Sequence, residues 1–258
     1  MYSLDSKTRP RRQSRAFTLV EMLVVIAIMS ILMTAGAIGL GGMSGKGVST
    51  GVAASESLFD EARATAVGRN LRACVLVAKK LDNSPADDLR RIVIAYEAVE
   101  TNPAAANFGQ AKNPDIVDPK NLSWVLSSRG SVLPEQVYFS DKLSKQNHQT
   151  GTGAIDTTSN IVDASNQPIK SSSPLKGTYY IYAFNAQGIC YTPGASFIIG
   201  NGTRNTTKSS TDEPPRVTAA SKRDFGGFVV WRNGRTSIFR SPEQMGSALT
   251  NLDSGKPF

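Results

Sequence analysis

Residues 17–40 constrain this chain more than any other stretch. F-T-L-V-E-M-L-V-V-I-A-I-M-S-I-L-M-T-A-G-A-I-G-L is 24 residues long and holds one charge, Glu21. As a helix rising about 1.5 Å per residue it reaches about 36 Å, enough to cross a hydrocarbon core of about 30 Å. No face of such a helix is polar enough to meet water, so it must end in lipid or against other helices. No other apolar run in the sequence approaches 18 residues, which predicts a single span. A carboxylate inside a span costs about 2.5 to 3.5 kcal/mol at the bilayer centre and less toward the interface, so it usually marks function. A headgroup-level position is the plainer account of Glu21.

The charge distribution agrees. Lys7, Arg9, Arg11, Arg12 and Arg15 stand against Asp5 in residues 1–16, a leader of net charge +4. That excess holds the amino terminus in the cytoplasm and sends the rest across. Residues 17–200 are neutral and residues 201–258 carry the other +4 of the total of +8. The apolar fraction of 40% supports a core in one or two domains but no multi-span protein.

A basic leader, a small residue and then F-T-L-V-E opening the apolar run is the arrangement of type IV prepilins, which residues 15–40 resemble. The resemblance implies cleavage after Ala16 by prepilin peptidase and N-methylation of Phe17. Glu21, fifth in the mature chain, then resembles the glutamate that pairs with the terminal amine of a neighbouring subunit. Opposite charges neutralise each other's desolvation in a dry environment. The residue before the cut is usually Gly; here it is Ala16, also small.

Gly36, Gly39, Gly41, Gly42, Gly45, Gly47 and Gly51 follow in close order, and each glycine costs a helix about 0.5 to 1 kcal/mol relative to Ala. The stem helix of the resembled family unwinds in this region, so a bent or locally melted helix is expected here; small-residue packing between helices is the alternative. Helical spacing returns over Val48–Asn70, with Val52, Phe59, Ala62 and Ala66 as an apolar stripe beside Leu58. Gly68 and Asn70 supply a stop signal.

From Leu71 the pattern changes to strands: Leu71–Lys79, Arg91–Val99, Leu122–Leu126, Gln136–Phe139, Thr178–Phe184, Ser196–Ile199, Gly227–Arg232 and Arg235–Arg240. Asn233-Gly234 suits a tight two-residue hairpin between the last two. Residues 140–176 and 201–223 are dominated by Ser, Thr, Asn, Gly, Lys and Pro, and read as exposed, poorly ordered loops. The expected fold class is therefore α+β: a long amino-terminal helix, transmembrane in its first half, packed on an antiparallel β-rich domain as in pilins. The expected divisions are a leader at 1–16, a span at 17–40, a glycine-rich junction and amphipathic helix at 41–70, and a β domain at 71–258.

A second resemblance lies in the domain. Ala62, Arg63, Arg69 and Asn70 before a valine-rich strand are similar to the helix-to-strand segment of H-type minor pseudopilins of type II secretion and related minor pilins. F-N-A-Q-G-I (Phe184–Ile189) and F-V-V-W-R-N-G-R-T-S-I-F-R (Phe228–Arg240) resemble the late strands of the same proteins. Leu133–Phe139, reading L-P-x-x-V-x-F before a long loop, is similar to a pilin-like family of verrucomicrobial gene cassettes.

No catalytic motif is present, and the sequence carries neither G-x-S-x-G nor H-E-x-x-H. G-M-S-G-K-G-V-S at 42–49 fails as a phosphate loop, because Leu40 replaces the first glycine and Gly47 follows Lys46. His148 has no partner ligands in sequence reach, so neither a metal nor another cofactor is implied. Asp87-Asp88, Glu97 and Glu100 read as solvated turn or strand-end residues. Cys74 and Cys190 permit a disulfide outside the cytoplasm, although two buried thiols are the commoner outcome.

Trp231, Arg232, Arg235 and Arg240, with Arg204, Lys208, Arg216, Lys222, Arg223 and Phe239, suggest a basic surface able to neutralise phosphates and stack bases. An ordinary solvated face with Trp231 in the core is favoured over nucleic-acid binding. The function that results is that of a minor pilin or pseudopilin. Its partners would be prepilin peptidase, other pilin subunits and an inner-membrane assembly platform. Its place would be the inner membrane, with the domain outside the cytoplasm, and then a filament. Two alternatives stay open: a DNA-binding minor pilin for uptake, and a secreted β domain with an ordinary signal peptide cut after Ala35-Gly36-Ala37.

Overall fold

The computed structural model describes residues 19–41, 44–127, 130–217, 224–239 and 242–245, with backbone alone at 31–41, 44–46 and 242–243. Contacts divide the chain into two units that part between Met43 and Ser44. The first unit contains α1, Leu19–Gly41, a helix of 23 residues with Glu21 in its first turn. Residues 42–43 lie outside the described residues. The backbone is nonetheless helical through Gly36, Gly39 and Gly41, and again from Ser44. The melting expected of the glycine-rich stretch is therefore absent from its described part, where the local cost of these glycines is below what the continuous hydrogen-bond ladder returns.

The second unit begins with α2, Ser44–Arg69. Its stripe is Val48, Val52, Ser55, Phe59, Ala62 and Ala66, all buried, at spacings of three and four residues. Ser55 hides in this apolar row because its Oγ donates to the Gly51 carbonyl at 2.7 Å. The helix ends in Asn70, whose φ of 53° is the left-handed stop expected of Asn at that position.

Thirteen strands follow: β1 Ala73–Leu81, β2 Arg91–Glu97, β3 Trp124–Leu126, β4 Ser131–Val132, β5 Val137–Phe139, β6 Lys145–Asn147, β7 Thr152–Ala154, β8 Thr157–Thr158, β9 Ile161–Val162, β10 Gly177–Phe184, β11 Ala195–Asn201, β12 Phe225–Val230 and β13 Thr236–Ile238. They form one sheet in the order β8-β10-β1-β2-β3-β9 with β4 on β2, a second in the order β13-β12-β11-β5, and the β6–β7 hairpin. All pairings are antiparallel except β3 with β9.

Phe59 of α2 is where the two sheets meet the helix. Its ring stands 5.1 Å from Tyr182 and 6.4 Å from Phe184 of β10, and 5.5 Å from Phe197 of β11 and 5.0 Å from Phe228 of β12. The central strand β1 is buried on both faces. Ala73, Val75 and Val77 join the core under α2, whereas Cys74, Leu76 and Ala78 join a second apolar cluster with Trp124, Leu122 and Ile161. Continuous burial is why its sequence reads as an unbroken valine-rich run rather than an alternation.

The described parts of both segments expected as loose loops, 140–176 and 201–217, are built into the domain. Ser140 and Ser144 are buried and cap the free edge of β11: Ser140 N donates to Ile198 O at 2.9 Å and Ile198 N to Ser144 Oγ at 3.0 Å. Leu143, Ile155 and Ile161 anchor the rest of 140–176 in the two apolar clusters. In the second segment the side chains of Arg204 and Asp88 are fully buried as an ion pair at 3.5 Å, and Ser210 N donates to the same carboxylate at 2.8 Å. A few apolar anchors and side-chain acceptors suffice where composition alone predicts disorder. Asp88 and Glu97 are thus not solvated. Glu97 is buried against Arg72, which donates from Nε at 2.7 Å and from Nη2 at 2.5 Å. That hydrogen bond, against the opposing effect of burial, raises the already high guanidinium pKa of Arg72.

Candidate functional site

The amino-terminal candidate residues divide at the edge of the described region. Ala16 and Phe17 lie outside it. Glu21 lies near the start of the described part of α1 and is exposed. Around it, every large apolar side chain from Leu19 to Met29 is between 48% and 82% exposed. Among the described residues no helix is long and apolar enough to cross a membrane; the side chains of this one are described only as far as Ser30. What is described is an apolar surface with no covering partner on any side, unlike the face of a water-soluble helix.

Residues 11–37 match the prokaryotic N-terminal methylation motif. The match supports a type IV pilin-like protein. It takes in Ala16, Phe17 and Glu21 and stops short of the β domain. No curated protein and no solved structure matches the chain.

Some of the residues carrying the second resemblance converge, although they are spread from position 63 to 235 in sequence. Asn185–Ile189 and Trp231–Arg235 are two turns of the same build, each with a left-handed glycine, Gly188 at φ 75° and Gly234 at φ 73°. In the second, Gly234 N donates to Trp231 O at 2.9 Å and Trp231 N to Arg235 O at 2.8 Å. This is a three-residue loop closed by a glycine bulge rather than the expected two-residue turn, because Asn233 keeps an ordinary negative φ. Cys190 N donates to Arg232 O at 3.1 Å and ties the two turns together. Arg63 of α2 runs over both: a Cβ on Gly188 would sit 3.1 Å from its Cγ, and one on Gly234 would sit 2.6 Å from its Cδ and 2.4 Å from the Gly188 carbonyl oxygen. Glu56, two turns earlier on the same face of α2, accepts from the Thr236 hydroxyl at 2.6 Å. Sequence reading named Arg63 and both turns but had no signal that they touch.

The basic carboxyl-terminal set does not form one surface. Arg204 is buried with Asp88, and Lys208 stands 3.7 Å from Glu213. Phe239 is partly buried and packs on the His148 ring at 4.7 Å. Arg240, Lys222 and Arg223 lie outside the described residues. Trp231, Arg232 and Arg235 share one turn and are exposed. Trp231 is therefore not a core residue: it is 50% exposed, with its Nε1 donating to Ser237 Oγ at 2.8 Å. The β12–β13 turn lifts it off the domain, since Gly234 and not Trp231 occupies the buried position of that loop.

Cys74 and Cys190 are free thiols, so the possible disulfide is not formed. Each belongs to a different apolar cluster. Burial pushes both thiols up in pKa, which suppresses the reactive thiolate. Among the described residues no group of His, Cys, Asp and Glu is placed to hold a metal ion. His148 is engaged locally, its Nε2 lying 3.0 Å from the Gln244 carbonyl oxygen.

Proposed function

We propose that this chain is a minor pilin or pseudopilin subunit. Prepilin peptidase cuts it after Ala16 and methylates Phe17; residues 17–40 hold it in the cytoplasmic membrane with the β domain outside; and it then enters a type II secretion pseudopilus or a type IV-like pilus. The observation that carries this reading is α1 itself, whose described apolar side chains are exposed on every side behind a leader that matches the methylation motif. Lipid satisfies that surface before assembly, and neighbouring stem helices satisfy it afterwards. Glu21 is then the assembly residue, its charge neutralised by the terminal amine of an adjacent subunit.

The test is mass spectrometry of the mature amino terminus, together with co-purification of Glu21→Ala with partner pilins. A methylated Phe17 terminus and a membrane-inserted Glu21→Ala protein that no longer co-assembles are expected. A terminus at Ile38 would make the segment an ordinary signal peptide, and normal co-assembly of the variant would remove the role given to Glu21.

A second reading, a minor pilin that binds DNA, draws on the exposure of Trp231, Arg232 and Arg235 on one turn. It predicts a salt-dependent shift of DNA by the full chain that is lost when Arg232 and Arg235 are neutralised. Without Arg204 in that surface, the first reading is the stronger.

A further inference from the structure

Beside the two glycine turns lies an open groove of about 610 Å³, lined by Asp60, Arg63, Ala64 and Val67 of α2 and by Arg235 and Thr236 of the β12–β13 region. The stem of Arg63 is pinned against Gly188 and Gly234, and its Nε is buried with no hydrogen-bond partner among the described residues. Neither Arg63 nor Arg235 takes part in an ion pair among those residues. The lining is mixed, with Ala64 and Val67 as its apolar part, and Val67 is 52% exposed.

A guanidinium held by its stem with donors unused is a receptor for a planar anion, and the exposed Arg235 beside it in a groove that also holds Ala64 and Val67 favours a carboxylate held bidentately next to an apolar group. A polyanionic strand fits less well. Asp60 lines the groove and Glu56 stands near Thr236, so a run of phosphates would pass two like charges, whereas a single carboxylate meets less of that repulsion. We propose that this groove docks a segment of a partner protein that presents one carboxylate beside an apolar side chain. The site belongs to the β domain and does not depend on how the amino terminus is processed.

The full chain in detergent micelles is titrated with N-acetyl-Leu-Asp-amide and with its neutral isostere N-acetyl-Leu-Asn-amide, following the arginine Nε–H resonances by NMR and Trp231 by fluorescence. The aspartyl probe should bind at least about tenfold tighter than the asparaginyl one, as a charge-assisted bidentate bond requires, and should shift the Arg63 Nε–H signal. Arg63→Gln should abolish the preference. Ala64→Glu should do the same by setting a carboxylate in the groove from an exposed helix position, where it leaves the fold intact. Equal binding of the two probes, or none, overturns the proposal. So does binding of a short oligothymidylate that displaces the aspartyl probe at matched salt, which would make the groove a nucleic-acid surface.

Discussion

Two helices of similar length, 23 and 26 residues, follow one another in this chain and answer opposite demands. α2 has one apolar stripe, and the domain it belongs to covers that stripe completely, from Val48 to Ala66. α1 is apolar in all directions, and its described side chains are covered on none. The partner of α2 is encoded within the same sequence; for α1 the proposed function supplies lipid first and other subunits afterwards. A chain can therefore hold a self-sufficient folding unit beside a helix that is complete only in company.

The contrast can be broken most severely at high pH. Burial raises the pKa of Tyr179, Tyr180 and Tyr182, with Asp141 adding to the effect at Tyr180. A group whose folded pKa exceeds its unfolded one gives stability that is complete below the unfolded value, near 10.0, and lost as pH rises toward the folded value. The β domain should therefore unfold cooperatively above about pH 10, with tyrosinate absorbance rising in the same transition. The described helix α1, residues 19–41, contains no tyrosine and should keep its helical circular dichroism in micelles. Tyrosines that ionise before the domain unfolds would separate burial from stability here.

Phe59→Ala is the sharpest single substitution. It removes the ring that touches both sheets and should cost about 3 to 5 kcal/mol, read as a lower urea midpoint of the domain with membrane association of the chain unchanged. Gly234→Ala should cost about 2 kcal/mol, because a methyl group at a left-handed φ meets the Gly188 carbonyl oxygen. The same substitution at Gly68, where a Cβ meets nothing within 4 Å, should be neutral or stabilising by up to about 1 kcal/mol. Glu21→Ala comes last in stability: the urea midpoint of the β domain should move by less than about 0.5 kcal/mol equivalent, while assembly is lost. A domain destabilised by that variant would show that the two regions are not independent.

Much of this architecture was legible beforehand. All eight expected strands are present, and the stripe of α2 runs through the expected Val52, Phe59, Ala62 and Ala66. The long polar segments were not legible, because their order rests on a handful of scattered anchors. Leu143 and Ile155 are too few to give a periodic signal, and Ser144 and Asp88 act through hydrogen bonds to backbone far away in sequence. The exposure of Trp231 was equally hidden, since composition places a tryptophan inside and only the turn geometry lifts it out.

By itself, the sequence determined that the first helix would be apolar throughout with Glu21 near its start, because hydrophobicity and charge are properties of the residues alone. It also set the periodicity from which α2 and the strands follow. Only the tertiary structure decided which polar groups are buried, that Cys74 and Cys190 face different cores, and that Arg63 meets Gly188 and Gly234. Those are relations between residues more than a hundred positions apart. No local pattern records them, and they exist only once the sheets have closed around Phe59.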